Sequence, residues 1–321
     1  MEKDHVIAVD IGATWVRTLV SDIDGDIKNR TKEKIDTASE QSISGQIISM
    51  TKELCRDISL DRERLKGVGI ASAGPLDADK GILVNPTNIP FERVPLFEPI
   101  EEELGLKAKL LNDGAAAALG EKRFGHGEDL DNLVYVTLST GIGGGAIVDG
   151  NLLSGKDGNA AEIGHFTIDI NGDLVCGCGR KGHWESFCSG ANIPRFVEKK
   201  VKEYKKKEEV GPSFENYLES DFKDFQPKDL FDLAKNDDPI AKRIVDEIGR
   251  LNAIGFGCAV EAYDPSLITV GGSIALNNPE LVLEPIRENM DRYSQNRLPR
   301  IRLTALGEDI VIYGAVALIA E

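Results

Sequence analysis

The residues with the most distinctive chemistry lie between Glu162 and Glu185. The chain reads Glu162-Ile163-Gly164-His165, then a short expected strand and turn, then Cys176-Gly177-Cys178-Gly179-Arg180-Lys181-Gly182-His183-Trp184-Glu185. Thiolates at Cys176 and Cys178 and imidazoles at His165 and His183 are the donors of a closed tetrahedral zinc shell. Ligands this soft select zinc over magnesium or calcium. Glycines at 177, 179 and 182 let so short a loop bend round an ion. The same spacing also fits a Gly-rich turn with buried thiols, because free cysteine is often a small core residue. Glu162 and Glu185 flank the knot and are candidates to face a ligand.

Three further stretches have residue types suited to phosphate or hydroxyl chemistry. Asp10-Ile11-Gly12-Ala13-Thr14 follows a short apolar run. It fits a plain hairpin turn, and it fits a phosphate loop in which Gly12 admits an anion, Thr14 offers a hydroxyl and Asp10 holds hydrated magnesium. Asn112-Asp113 stands between a strand and an alanine-rich helix. Asn and Asp are favoured N-caps; a carboxylate presented there can also act as a general base toward a substrate hydroxyl while Asn112 binds a neighbouring one. Ser139-Thr140-Gly141-Ile142-Gly143 follows a strand. Its glycines imitate a dinucleotide fingerprint, but that fingerprint requires a following helix. Here strand, Asp149-Gly150 turn and strand are expected instead.

Around these stretches the apolar pattern sets out the elements. Strands are expected at Val6–Val9, Trp15–Val20, after the Asp24-Gly25 hairpin signal, and at Lys66–Ala71, Lys107–Leu111, Val134–Leu138, Leu267–Val270 and Ile301–Thr304. Helices are expected at Ser39–Ile58, from Asn112 to Phe124, at Ala191–Tyr204, from about Pro279, and at Gly307–Ile319. Another runs from the cap Asp238-Pro239 to about Ala262, with proline at its first position. Ser213–Pro227 reads as irregular, and the charge run Lys199–Glu209 as a solvated face. Strand, glycine turn and strand occur twice, at Asp10 and at Thr140. That implies an α/β chain of two similar domains.

Composition narrows the classes. The chain has 321 residues, 41% hydrophobic, enough for two domains with their own cores. No run of about twenty apolar residues is present, so no membrane span is expected. The charged start and the absence of an apolar leader imply no signal peptide. Five cysteines outside any disulfide framework favour a reducing, cytoplasmic setting. The net charge of −16 opposes nucleic acid and anionic membrane as partners. It does not oppose a nucleotide, whose charge backbone amides and magnesium can balance.

The order Glu-x-Gly-His, then Cys-x-Cys-Gly-x-x-Gly-x-x-Glu, resembles the signature of the ROK family of sugar kinases and repressors. That family usually has a third cysteine where this chain has His183. Asp10 to Thr14 is similar to the first phosphate motif of the hexokinase and actin-like ATPase superfamily, and the Thr140 hairpin to its second. The resemblance implies a two-domain actin-like ATPase (hexokinase/ribonuclease H-like) fold with a central cleft. Residues 1–115 with 306–321 would form one domain and 116–305 the other. It also implies ATP and Mg2+ as cofactors, a structural Zn2+, and commonly a homodimer.

The resemblance implies specific roles. Asp113 would be the catalytic base. Gly74, Asn88, Asn112, Glu162, His165 and Glu185 would bind the sugar, although Gly74 and Asn88 also suit plain turns. Asp10, Gly12, Ala13, Thr14, Thr140, Gly141, Gly143, Gly271 and Gly272 would bind the nucleotide. His165, Cys176, Cys178 and His183 would hold zinc, with the other nitrogen of His165 turned to the sugar. The expected activity is transfer of the γ-phosphate of MgATP to the 6-hydroxyl of a hexose or N-acylhexosamine, glucose or N-acetylmannosamine foremost, with domain closure excluding water. A sugar-sensing regulator of the same family is the alternative. It would carry a helix-turn-helix ahead of the first strand, which begins here at about Val6. A chaperone- or actin-like ATPase would share the phosphate loops and hydrolyse ATP without sugar.

Overall fold

The computed structural model describes residues 3–86, 89–206 and 210–320. Among them the chain forms β1 (His5–Ile11), β2 (Trp15–Asp22), β3 (Ile27–Lys34), α1 (Ser42–Asp57), β4 (Leu65–Ser72), β5 (Leu76–Asp77), β6 (Ile82–Val84), β7 (Arg93–Pro95), α2 (Phe97–Leu104), β8 (Ala108–Asn112) and α3 (Asp113–Phe124). It continues with β9 (Leu133–Leu138), β10 (Ile142–Val148), β11 (Asn151–Leu152), α4 (Glu185–Cys188), α5 (Ile193–Lys205), α6 (Gly211–Glu219), α7 (Pro227–Lys235) and α8 (Pro239–Tyr263). The last elements are β12 (Leu267–Gly271), α9 (Ser273–Asn277), α10 (Pro279–Asn289), β13 (Arg300–Leu303) and α11 (Ile310–Ala320). Two sheets repeat one plan. Their strand orders are β3-β2-β1-β4-β8 and β11-β10-β9-β12-β13. In each, the third, second and first strands of a meander stand side by side, and two later strands add next to the first.

The chain divides into two compact units, Met1–Tyr135 with Gly145–Ala161 and Thr304–Glu321, and Val136–Gly144 with Glu162–Leu303. Residue 115, the expected domain limit, falls inside α3.

In the first unit β1 pairs antiparallel with β2 and parallel with β4, and β4 pairs parallel with β8. A strand covered on both faces is read as a near-continuous apolar run, and β1 is apolar from Val6 to Val9 and again at Ile11. Ile7, Val9 and Ile11 join a core with Ile43, Ile47, Met50 and Leu54 of α1. Val6 and Ala8 join a second core with Ala116 of α3 and Ile312, Ala315 and Val316 of α11. The contact of α3 with α11 depends on small residues. A Cβ on Gly314 would lie 1.8 Å from the Ala116 carbonyl oxygen, and one on Gly120 would lie 2.7 Å from that of Ile310. Gly314→Ala should therefore destabilise the protein by about 1–3 kcal/mol through overpacking, outweighing the gain in helix propensity of up to about 1 kcal/mol. Urea unfolding measures this, and an unchanged midpoint would contradict the close helix contact.

In the second unit α8 begins where expected. Asp238 accepts hydrogen bonds from the amides of Ile240 and Ala241 at 3.0 and 2.9 Å. Trp184, fully buried, donates its indole N–H to Asn252 Oδ1 of α8 at 2.8 Å. A Cβ on Gly255 would sit 2.2 Å from its ring. The residue between His183 and Glu185 is thus pinned to the longest helix.

Three local expectations are corrected. The helix Gly211–Glu219 runs into the stretch Ser213–Pro227 that was read as irregular. Its Phe214 and Tyr217, three positions apart on one helix face, pack on Phe225, with ring centroids 6.5 and 4.8 Å away. The short strand expected after His165 is replaced by isolated bridges, Thr167 to His183 and Val175 to Lys181. The helix expected from about Pro279 does start there, but a separate short helix, Ser273–Asn277, precedes it where no element was expected. Of the charge run, residues 207–209 lie outside the described residues.

Candidate active site

Parallel pairing brings three stretches to one edge of the first sheet. Ile11 is in register with Ser72, and Ser72 with Asn112. Asp10–Gly12, Ser72–Gly74 and Asn112–Asp113 therefore leave the sheet together at the carboxyl ends of its parallel strands, the edge where open α/β sheets place ligands. The Gly12 amide donates to the Trp15 carbonyl at 2.9 Å and closes the turn, with Ala13 and Thr14 exposed on it. A Cβ on Gly12 would meet nothing nearer than 3.4 Å. The protein itself does not demand glycine there, and the turn has room for an approaching group.

Asn112, rather than Asp113, is the N-cap of α3. Its Oδ1 accepts the Gly114 amide at 2.8 Å, and Asp113 is the first helical residue, half-buried. A Cβ on Gly74 would lie 3.4 Å from Asn112 Nδ2 and 3.7 Å from Asn159 Oδ1. The glycine thus leaves space beside two side-chain amides. Asn159 has no sequence signal beyond a stretch of small residues, Gly158-Asn159-Ala160. Asn88 lies outside the described residues.

Asp10 is not a lone carboxylate. Arg17, its cross-strand neighbour on β2, donates to Asp10 Oδ2 from Nε at 2.8 Å and from Nη2 at 2.6 Å. Burial pushes the Asp10 carboxyl above its ordinary range, and the Arg17 charge pulls against that. Arg17 also reaches the segment before α11, through the Glu308 carbonyl at 3.1 Å and Asp309 Oδ1 at 3.0 Å. A search for glycine loops passes over this arginine, although the alternation of β2 puts it on the same face as Asp10.

The second unit holds the other glycine hairpin. The chain after α4 supports its backbone, since Gly190 donates to the Ser139 carbonyl at 2.7 Å and Ala191 to that of Thr140 at 3.0 Å. Thr140 is exposed at the tip. Gly272 lies alongside. Its φ is 86°, and a Cβ would be 2.4 Å from the Leu138 carbonyl oxygen. Ser139 and Ser273 place their hydroxyl oxygens 3.2 Å apart. The hairpin and the Gly271-Gly272 turn therefore meet, and Gly272 is required by its own backbone and by strand β9 rather than by a ligand. Gly272→Ala should strain this turn and destabilise the protein by about 1–3 kcal/mol, read by urea unfolding; an unchanged midpoint would contradict the close fit.

His165, Cys176, Cys178 and His183 converge, with candidate ligand atoms all within 4.8 Å of one another. Cys176 Sγ is 3.7 Å from His165 Nδ1, and Cys178 Sγ is 3.4 Å from His183 Nδ1. Bonds of about 2.0–2.3 Å in a tetrahedral shell imply ligand separations of roughly 3.3–3.8 Å. The donors fit zinc in type and number, and these two pairs fit it in spacing. Without an ion, burial pushes the Cys176 thiol up to about 12, and burial next to the His165 charge lowers His183. His165 turns its other nitrogen, Nε2, toward Glu162 Oε2 at 4.0 Å. Desolvation raises the Glu162 carboxyl, the His165 charge opposes this, and the Glu185 charge adds to it.

Glu185 joins the knot to the hairpin. Its Oε2 accepts the Ile142 amide at 2.9 Å, and its Oε1 accepts the Cys176 thiol at 3.2 Å.

The whole chain has counterparts among known proteins. The ROK family model matches residues 6–321. A glucokinase from Pyrobaculum calidifontis is 36% identical over 312 residues, covering 97% of this chain and 94% of that protein. A xylose repressor from Caldicellulosiruptor bescii is 25% identical over 319 residues, 98% of this chain and 77% of the repressor. A solved ROK family glucokinase from Streptomyces griseus, in complex with glucose and AMPPNP, superposes with a TM-score of 0.76 at 30% identity, covering 98% of each chain. The duplicated sheets are those of the two-domain actin-like ATPase fold. Match, motif order and fold agree, and the chain belongs to the ROK family.

Proposed function

We propose that this chain is an ATP-dependent sugar kinase. It moves the γ-phosphoryl group of MgATP to the 6-hydroxyl of a hexose or N-acylhexosamine, with glucose and N-acetylmannosamine foremost. The observation that carries the reading is Asp113 at the first turn of α3, next to Asn112 and Gly74 on the carboxyl edge of the sheet that also bears the Asp10 turn. The similarity to glucokinases over nearly the full chain supports it.

In this reading Asp113 takes the proton of the sugar hydroxyl. The oxygen attacks the γ-phosphorus in line, the new O–P bond forms as the bond to the β-phosphate oxygen breaks, and ADP leaves. Such a transfer asks mainly for positioning and charge stabilisation. Asn112, Gly74, Asn88, Glu162, His165 and Glu185 orient the sugar. Thr140 and the amides of Gly141 and Gly143 hold the terminal phosphates. Asp10, Gly12, Ala13 and Thr14 face the phosphates and hydrated magnesium, and Gly271-Gly272 borders the nucleoside. Zinc on His165, Cys176, Cys178 and His183 would fix the ring of His165, so that Nε2 and Glu162 present one sugar-binding edge.

A coupled ADP-release assay over a panel of hexoses and N-acetylhexosamines tests the activity and ranks the acceptors. ADP release that depends on one of these sugars is the expected result. ADP release at the same rate without sugar would instead make the chain a plain ATPase. The similarity to a xylose repressor favours a second reading, a sugar-responsive regulator. Sugar binding without sugar-dependent ADP release would support that one.

A further inference from the structure

Asp10, Arg17 and Lys32 stand side by side on β1, β2 and β3, by the registers Asp10 to Arg17 and Arg17 to Lys32. The arginine is the hub of this row. It spends Nε and Nη2 on one oxygen of Asp10, and Nη1 and Nη2 on the Glu308 carbonyl, with Nη1 also on Asp309. Asp309 in turn accepts from Arg30 of β3 at 3.1 Å. The pair is mostly shielded, with side chains 13% exposed at Asp10 and 24% at Arg17. Both bonds fall on Oδ2, so the arginine fixes the torsion of the carboxylate and leaves Oδ1 out of its grip.

We propose that Arg17 is a positioning residue for the first phosphate loop. It holds the Asp10 carboxylate in one orientation and straps the loop to the segment that starts α11. The inference rests on the kinase reading for the role of Asp10, and on geometry within one unit for the strap. An aspartate serving hydrated magnesium and phosphate must present a fixed oxygen, since groups that orient such ligands typically change affinity or activity about 10–100-fold when removed. Only a guanidinium can make these contacts together. Its planar fork carries five donors, whereas an ammonium is a point charge. Because α11 packs on α3 through Gly314 and Ala116, the strap also joins the phosphate loop to the helix that begins at Asp113.

The test compares Arg17→Met, Arg17→Lys and Asp309→Asn in the full chain. Equilibrium titration with MgADP is the first readout. KM for MgATP against kcat and KM for sugar is the second. Arg17→Met should weaken MgADP binding and raise KM for MgATP about tenfold or more, with sugar affinity kept within about twofold. Arg17→Lys should recover part of the loss, and Asp309→Asn should show a smaller loss of the same kind. Wild-type MgADP affinity in Arg17→Met overturns the proposal. So does an equal loss of sugar and nucleotide binding, which would mark a general packing role. If Arg17→Met does not fold, Arg17→Lys and Asp309→Asn decide by the same measurements. A wild-type chain that binds MgADP but phosphorylates no sugar would defeat the kinase reading, while the titrations would still judge the strap.

Discussion

Asp113→Asn should keep sugar binding and lose turnover by roughly 10²–10⁴-fold, the usual contribution of a positioned general base. The substitution is nearly isosteric and leaves the helix start intact, because Asn112 Oδ1 accepts the Gly114 amide and a carboxamide oxygen at position 113 can still accept it as Asp113 Oδ1 does. Folding should therefore change little. A carboxamide cannot take up the hydroxyl proton, so the loss should fall on kcat while KM for sugar stays near the wild-type value. Asn112→Ala gives the opposite pattern, weaker sugar binding together with a destabilisation of about 1 kcal/mol from the lost cap. Steady-state kinetics with an equilibrium sugar titration separates the two. Turnover by Asp113→Asn near the wild-type rate would remove this residue from the chemistry.

Removal of the metal should have the next largest effect. Elemental analysis of the purified chain should find about one zinc, and Cys178→Ser should lower that occupancy steeply. Cys55, half-buried and outside the cluster, provides the control as Cys55→Ser. Stripping the ion should weaken sugar binding about 10–100-fold, because His165 is anchored through Nδ1 and presents Nε2 beside Glu162. Nucleotide binding should weaken as well. Glu185, two residues after His183, accepts the Ile142 amide of the glycine hairpin at 2.9 Å, so a loosened knot releases the hairpin. Wild-type affinities in a stably folded, metal-free chain would rule the site out.

Several parts of this molecule were legible in the residues alone. A helix start such as Asp238-Pro239, a turn such as Asp149-Gly150 and an apolar strand such as β1 are each specified by hydrogen bonds and steric limits within a few residues. The cysteine–histidine knot is nearly as local, since its four donors lie within 19 residues of chain, from His165 to His183. The helix α6 was harder to read, because in its nine residues the stripe Phe214, Tyr217 and Leu218 makes barely one turn, and its packing partner Phe225 lies beyond the helix.

Tertiary structure decided which distant side chains became neighbours. Register across β1, β4 and β8 put Asp10, Gly74 and Asn112 on one edge. Chain return through α11 brought Asp309 to Arg17 across 292 positions, and a loop delivered Asn159 to Gly74. The same folding gave Gly272 its reason, a carbonyl of β9 where a Cβ would stand. Residue spacing encodes the periodicity of a single element, whereas contact between elements depends on strand order and on helix crossings that no local spacing contains.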